Sequence, residues 1–300
     1  MFGVTILGNN SAIPAYDRHP TAQVVTLNDQ LFLIDCGEGT QMQIARYRVR
    51  RSKIRHILIS HLHGDHYFGL IGLITSMGLL GREQELHLYA PAALEKIIAL
   101  QLEVAVTTLP FPLIFHPLEK EGILADTPKF SVECFNTEHR IPCWGFIIRE
   151  KRKPRKIQKD NADKYAIPAA FYERLKDGED YENEQGETIK NEWVTIPNKK
   201  PRSYAFCADT RVCENVPEKA KGVSLLYHET TYLKDLHERA AARFHSTTIQ
   251  AAEVACKAGV QKLLIGHFSS KYEKLDEFLS EAQDVFPNTE LAIEGVTYKV

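Results

Sequence analysis

Ser60-His61-Leu62-His63-Gly64-Asp65-His66 follows directly on the apolar run His56-Ile57-Leu58-Ile59. The run is short, β-branched and preceded by a polar, basic segment, so it reads as a buried strand. The turn after it carries three imidazoles and one carboxylate within six residues. On an extended exit from a strand, residues i and i+2 point the same way, so His61 and His63 can converge on one point. Gly64 permits a sharp turn, which would let Asp65 and His66 face a second point close by. Neutral imidazole and carboxylate are the ligands that suit zinc and similar divalent ions. A polar loop with a chance cluster of histidines is the plain alternative. Spacing this dense and ordered reads instead as a metal site.

One loop cannot close two metal sites, so further ligands must come from elsewhere in the chain. The sequence offers His139 in Asn136-Thr137-Glu138-His139, Asp209 in Phe206-Cys207-Ala208-Asp209-Thr210, and His267 in Leu264-Ile265-Gly266-His267-Phe268. Each ends an apolar or β-rich run, as His61 does. Strand ends that deliver ligands to one edge of a sheet core are the pattern of a binuclear hydrolase.

Length and composition limit the alternatives. Three hundred residues can bury a substantial core in one large domain or two modest ones. A net charge of −2 excludes a global polycation, so any nucleic-acid binding must rest on local basic patches. Six cysteines without a CxxC pair or regular spacing read as reduced, mostly buried thiols of a cytoplasmic protein. The N-terminus lacks the pattern of a signal peptide, and the apolar segment Phe68 to Leu80 is broken by glycines and too short to span a bilayer. The chain is expected to be soluble and away from membranes.

The motifs around the metal loop carry a resemblance. They are Asp35-Cys36-Gly37-Glu38-Gly39-Thr40-Gln41, Ser60 through Leu70, His228-Glu229-Thr230-Thr231, His245-Ser246-Thr247 and His267-Phe268-Ser269. HxHxDH alone resembles the metallo-β-lactamase superfamily. The other motifs together resemble its ribonuclease Z branch, the tRNA 3′-processing endoribonucleases, from Ile6-Leu7-Gly8 almost to the C-terminus. The resemblance implies a single α/β domain over residues 1–300, an αββα sandwich of two mixed sheets packed face to face with helices outside. It implies two Zn2+ ions per chain, with Mn2+ or Mg2+ as substitutes. His61, His63 and His139 would hold one ion, Asp65, His66 and His267 the other, and Asp209 would bridge them. Asp65 would also orient the nucleophile or take its proton. Asp35 would support the site from behind, although a turn aspartate explains it as well. His245, held by Glu229, would protonate the leaving 3′ oxygen; the start of a helix is the other reading of His245. The implied substrate is precursor tRNA and the implied assembly a homodimer. A small-molecule phosphodiesterase or ester hydrolase would share every metal ligand, whereas a non-catalytic RNA-binding relative would have lost some. Lys271 stands where the family has arginine, which keeps the charge but loses the bidentate fork.

Elsewhere the chain alternates. Strands are expected at Phe2 to Leu7, at Ala22 to Leu27 and Leu31 to Asp35 as a hairpin over Asn28-Asp29, and at Leu86 to Tyr89. Two more, Phe130 to Phe135 and Trp144 to Ile148, flank His139. Helices are expected from Thr40 to Tyr47, from Tyr67 to Leu80, and from Pro91 to Val104 with proline in the favoured first position. Arg46, Arg48, Arg50, Arg51, Lys53 and Arg55 form either a solvated face or a phosphate-contacting patch. His19, His56, His87, His116 and His237 match no motif and read as structural or surface residues. Residues 149 to 202 break the alternation. They open with Arg149, Lys151, Arg152, Lys153, Arg155, Lys156 and Lys159, pass through the acidic stretch Asp177 to Glu184, and close with Lys199-Lys200-Pro201-Arg202. A bland linker accounts for so little apolar periodicity. The family resemblance makes it an inserted flexible arm that holds the tRNA body, with Ala169-Ala170 in place of the usual Gly-Pro turn.

Overall fold

The computed structural model describes residues 1–151 and 153–300; Arg152, one of the basic residues that open the insertion, lies outside the described residues. Two seven-stranded sheets form the framework. In the first, Thr297–Lys299 pairs antiparallel with Phe2–Gly8, which pairs antiparallel with Ala22–Leu27. The hairpin to Gln30–Ile34 turns at Asn28, whose φ of 56° is one that asparagine tolerates without glycine. From there the sheet runs parallel through Ile54–Leu58, Leu86–Ala90 and Leu113–Pro117. The second sheet places Gly122–Asp126, Phe130–Thr137 and Cys143–Glu150 beside Ser203–Cys207. It continues parallel through Leu225–Glu229, Leu263–Gly266 and Thr289–Leu291.

Strand alternation makes each sheet two-sided. Leu31 and Leu33 join a cluster with Ile44, Leu70, Leu73, Ile74, Met77 and Leu94 from the helices outside the first sheet. Ala205 and Cys207 do the same with Val216, Ala252, Ala255 and Phe278 outside the second. Phe32, Tyr204 and Phe206 take the opposite faces and are fully buried. Tyr204 donates to Gln23 and Trp144 N–H to the Ser60 carbonyl, so the two inner faces are tied across the middle. The expected αββα sandwich is the observed architecture. No helix among the described residues is long and apolar enough to cross a membrane.

Two expected helices differ in detail. The one foreseen from Tyr67 to Leu80 is broken into Gly64–Tyr67 and Leu70–Leu79. Gly69 at the break sits against the backbone after Asp35: a Cβ there would lie 2.2 Å from the Gly37 oxygen, and its N–H bonds to the Cys36 carbonyl. Close backbone approach overrides helical continuity at this point. The helix foreseen from Pro91 starts at Ala93, with Pro91 in the turn that precedes it.

Thr127–Ser131 and Arg149–Pro201 separate as a compact unit of their own. It holds the pairs Lys156–Ile157 with Thr195–Ile196 and Tyr181–Glu182 with Thr188–Ile189. Ala162, Ile167, Leu175, Ile189 and Val194 form its buried cluster. Asn191 Nδ2 donates to the Leu175 and Glu179 carbonyls, each at 2.8 Å, and so staples the helix end to the hairpin. The segment is folded, which the bland-linker reading did not foresee.

Candidate metal centre

Every expected metal ligand is delivered by the end of a strand, whereas His245 follows the helix His237–Arg243. His61, His63, Asp65 and His66 follow Ile54–Leu58, His139 follows Phe130–Thr137, and Asp209 follows Ser203–Cys207. Glu229 closes Leu225–Glu229 and His267 follows Leu263–Gly266. Asp35 and His267 both take left-handed backbone, with φ of 56° and 61°. Non-glycine residues in that region are uncommon and cluster at functional sites. Gly64 does not act as the sharp turn expected of it. It opens a helical turn and leaves room for Phe68, whose ring would lie 2.1 Å from a Cβ at that position.

The ligand atoms fall into two groups. His61 Nε2 and His139 Nε2 lie 3.0 and 3.1 Å from His63 Nδ1. Asp209 Oδ2 stands 3.6 and 3.9 Å from the same atoms of His61 and His139. On the other side, Asp65 Oδ2 lies 3.5 Å from both His66 Nε2 and His267 Nε2. Asp209 Oδ1 lies 3.5 and 3.2 Å from that second pair. Asp209 thus offers one oxygen to each group. The atoms of each set lie within 4.8 Å of one another, a spacing that a metal ion can close.

A second layer fixes the rings. Asp35 accepts from Ser60 N–H at 2.7 Å and Ser60 Oγ at 2.8 Å, and bonds His66 Nδ1 at 2.7 Å. His139 Nδ1 bonds the Phe244 carbonyl at 2.9 Å, and His267 Nδ1 bonds Thr231 Oγ1 at 2.9 Å. The Ala12 N–H donates to Asp65 Oδ2 at 2.8 Å. In each case the outer nitrogen is engaged and the inner one is left for the centre, as metal-ligating histidines require. His66 Nε2, His267 Nε2 and Asp209 Oδ1 are buried and make no hydrogen bond, although they face one another at 3.2–3.5 Å. Buried polar atoms are ordinarily satisfied, so these three fit a cation between them.

The electrostatics agree with that fit. Burial works against charge on His66, yet Asp209, Asp65 and Asp35 raise its pKa well above that of an ordinary imidazole, so the three carboxylates around it favour a positive charge at this point. Burial and the neighbouring His66 hold His61 well below, in the neutral form that binds metal.

Beside the metal ligands stands a pair of different character. His245 Nδ1 lies 2.9 Å from Glu229 Oε1. Glu229 also accepts the Ser246 N–H at 2.9 Å and the Thr231 hydroxyl at 2.8 Å. Burial opposes the His245 charge, but Glu229 first, then Asp209 and Asp65, lift it to about 9. Its ring lines a cavity of about 450 Å³ together with His63, Asp65, Asp209, Phe68 and Arg140. His245 also falls in a loose third group with Asp209 and His267. The hydrogen bond to Glu229 prepares it to carry a proton rather than a metal.

Thr231, Ser60 and the Ala12 amide are site residues to which sequence reasoning gave no role of their own. Thr231 lies inside a recognised motif and touches Glu229, His245 and His267 at once. The six other histidines stay outside the centre, His228 bonding the Glu229 carbonyl at 2.7 Å. His19 bonds Glu294 at 3.0 Å, and His56, His87 and His116 stack along the first sheet.

Comparison with known proteins adds the following. The family model described as Anti-Pycsar protein Apyc1 matches residues 2–153, the half that carries the metal loop and His139. A protein named Ribonuclease Z from Bacteroides fragilis (strain YCH46) is 44% identical over 297 residues, covering 98% of each chain. Another of that name from Cytophaga hutchinsonii is 43% identical over 303 residues, covering 100% of this chain and 96% of its own. Among solved structures, the short form of human tRNase Z superposes with a TM-score of 0.73 at 24% identity, covering 99% of both chains. The metallo-beta-lactamase fold protein YhfI from Bacillus subtilis gives 0.70 at 18% identity, covering 99% of this chain and 98% of its own. These two likenesses concern the fold.

Proposed function

The chain belongs to the ribonuclease Z family, and from that membership we infer that it is a metal-dependent endoribonuclease that removes 3′ extensions from tRNA precursors. The observation that carries the chemistry is Asp209, whose two oxygens face two separate ligand groups. Two zinc ions per chain would be held by His61, His63 and His139, by Asp65, His66 and His267, and by Asp209 between them. A pair of divalent ions bound there supplies an activated water and neutralises charge on phosphoryl oxygens.

The chain's own residues supply the rest. Asp65, fixed by the Ala12 amide, orients the incoming water and takes its proton. As the bond from phosphorus to the 3′ oxygen breaks, His245 passes its proton to that oxygen. Glu229 holds the ring in place and keeps it charged at neutral pH. Thr231 ties this proton donor to His267, so the two halves of the reaction share one scaffold.

The insertion serves in this reading as the arm that grips the tRNA body. Its exposed cations are fewer than the sequence suggests. Arg155 is spent on Thr195, and Arg202 bonds the Val300 carbonyl; Lys153, Lys156, Lys199 and Lys200 stay exposed. The reading also includes a homodimer in the cytoplasm. Leu79, Leu80, Leu100, Val104 and Val106 are 60% exposed or more, an apolar surface that a second copy would cover. Light scattering at the mass of one chain would remove the dimer from the proposal. The function itself is tested by incubating purified protein with a 3′-extended tRNA precursor, with and without chelator. Cleavage of the precursor that chelator abolishes supports it. Hydrolysis of small phosphodiesters alone would make the protein a small-substrate phosphodiesterase.

A further inference from the structure

Arg82, three residues past the helix Leu70–Leu79, is only 6% exposed. Its Nε donates to the Gln84 carbonyl and its Nη2 to the Glu85 carbonyl, both at 2.8 Å. Nη1 is buried with no partner. Among the described residues no carboxylate pairs with this guanidinium; the Glu85 side chain turns to His87 instead, at 3.3 Å. Burial and the nearby Arg55 both work against its charge. A buried guanidinium without a counter-charge is costly, and buried charges are ordinarily paired or engaged by a ligand. Arg82 lines a cavity of about 340 Å³ whose other polar walls are Arg50, Arg51, Ser52 and Gln84. Neither Arg50 nor Arg51 pairs with a carboxylate among the described residues.

This cavity and the one over the metal centre are each neighbours of a third, through shared walls. The cavity over the centre and a second one of about 650 Å³ share Glu38 and Phe68 as walls. The second shares Arg51 with the arginine cavity. Phe68 is 64% exposed at the first junction, its ring packed against Gly64. Among the described residues Glu38 is the only acid lining the middle cavity, so that point suits a base stacked on Phe68 rather than a phosphate. Small cavities joined through single side chains admit a flexible single strand and exclude a duplex. Alternating stacking rings and cations is how single strands are held without regard to sequence.

We propose that Arg50, Arg51 and Arg82 form a phosphate subsite for the single-stranded 3′ trailer of an RNA lying in the metal centre, with Phe68 as the stacking platform between. The proposal rests on the endoribonuclease reading and adds to it where the removed strand runs. The trailer is chosen because the tRNA side of the scissile bond is a double-helical stem.

The test is steady-state cleavage of precursors that share one tRNA body and carry trailers of about 1 to 12 nucleotides. Arg82 has structural bonds, so the exposed end of the subsite is varied first, as Arg50→Ala with Arg51→Ala. KM should rise about three- to tenfold for long trailers and stay within about twofold for the shortest. The salt slope of long-trailer binding should fall by about 0.7 for each phosphate that is no longer neutralised. Phe68→Leu should weaken long-trailer binding and Phe68→Tyr should restore it. Bis-nitrophenyl phosphate, which reaches only the metal centre, should be hydrolysed as before by the arginine variant and so reports an intact fold. A KM rise equal at all trailer lengths, or no rise, overturns the subsite while leaving the endoribonuclease in place. If the wild-type protein hydrolyses the ester but no precursor of any length, the endoribonuclease reading fails first and the subsite with it.

Discussion

Glu229 organises the proton chemistry through bonds that each have a measurable consequence. Its Oε1 meets His245 and its Oε2 the Thr231 hydroxyl, so ring and scaffold are set by one carboxylate. His245→Ala should lower kcat by roughly two to four orders of magnitude, the span of a lost general acid. Metal content by elemental analysis should be unchanged, and a variant that loses metal would make His245 a ligand instead. Glu229→Gln removes the chief influence that raises His245 to about 9. A raised pKa keeps the acid form present up to that pH, so losing Glu229 should move the alkaline limb of kcat to lower pH. An unmoved limb would assign that limb to another group. The residues at His61, His63, His139, Asp209 and His267 were legible as candidates because histidine and aspartate are scarce at the ends of apolar runs, while His245 stood out only through the resemblance of His245-Ser246-Thr247 to a family motif. Thr231, Ser60 and the Ala12 amide were not, since hydroxyls and N–H groups occur everywhere and only tertiary geometry selects among them. Gly64 was legible as necessary but for the wrong reason: the ring of Phe68, not a sharp turn, requires it.

Strands and hairpins were the most readable elements, because β-branched runs bounded by turn residues leave few alternatives. The Asn28-Asp29 hairpin and the strands that carry His61, His139, Asp209 and His267 all lie where the pattern puts them. The break at Gly69 was hidden, since helical periodicity continues across it and its cause is the close approach of backbone some thirty positions away. The small unit around Arg149–Pro201 was hidden for a different reason. Its cluster of Ala162, Ile167, Leu175, Ile189 and Val194 is spread over short elements with no common period. Its folded state sharpens the test of its role. Deleting Lys156 to Asn198 and bridging with a short Gly/Ser linker removes its cluster whole and leaves the sandwich strands intact. KM for precursor tRNA should rise about tenfold or more, because fewer phosphates are neutralised and fewer counterions released on binding. Hydrolysis of a small nitrophenyl ester should stay within a few-fold. Equal impairment on both substrates would make the unit a folding element, and none on either would leave the tRNA reading without its grip.

The metal centre joins what the chain folds as two sheets. His61, His63, Asp65 and His66 leave the first sheet, while His139, Asp209 and His267 leave the second. Each ligand group draws on both, so any ion bound there is a cross-link between sheets as well as a reagent. Without it, the centre gathers five imidazoles and leaves the inner nitrogens of His66 and His267 buried with no hydrogen-bond partner, a costly arrangement. A ligand that binds only the folded state adds about 2.7 kcal/mol at a hundredfold excess over its Kd. For a chain of this size each kcal/mol is worth about 2–4 °C in Tm, so two ions should contribute roughly 10–20 °C. Calorimetry of the zinc-loaded protein should therefore show a melt that falls by this amount on chelation and returns when zinc is restored. Asp209→Ala, which takes an oxygen from both groups, should melt near the chelated protein and respond little to added zinc. Equal melting temperatures for loaded and chelated protein would mean that the sheets hold the centre together unaided. In that case the unpartnered nitrogens would be satisfied by water, and the binuclear reading of Asp209 would fall.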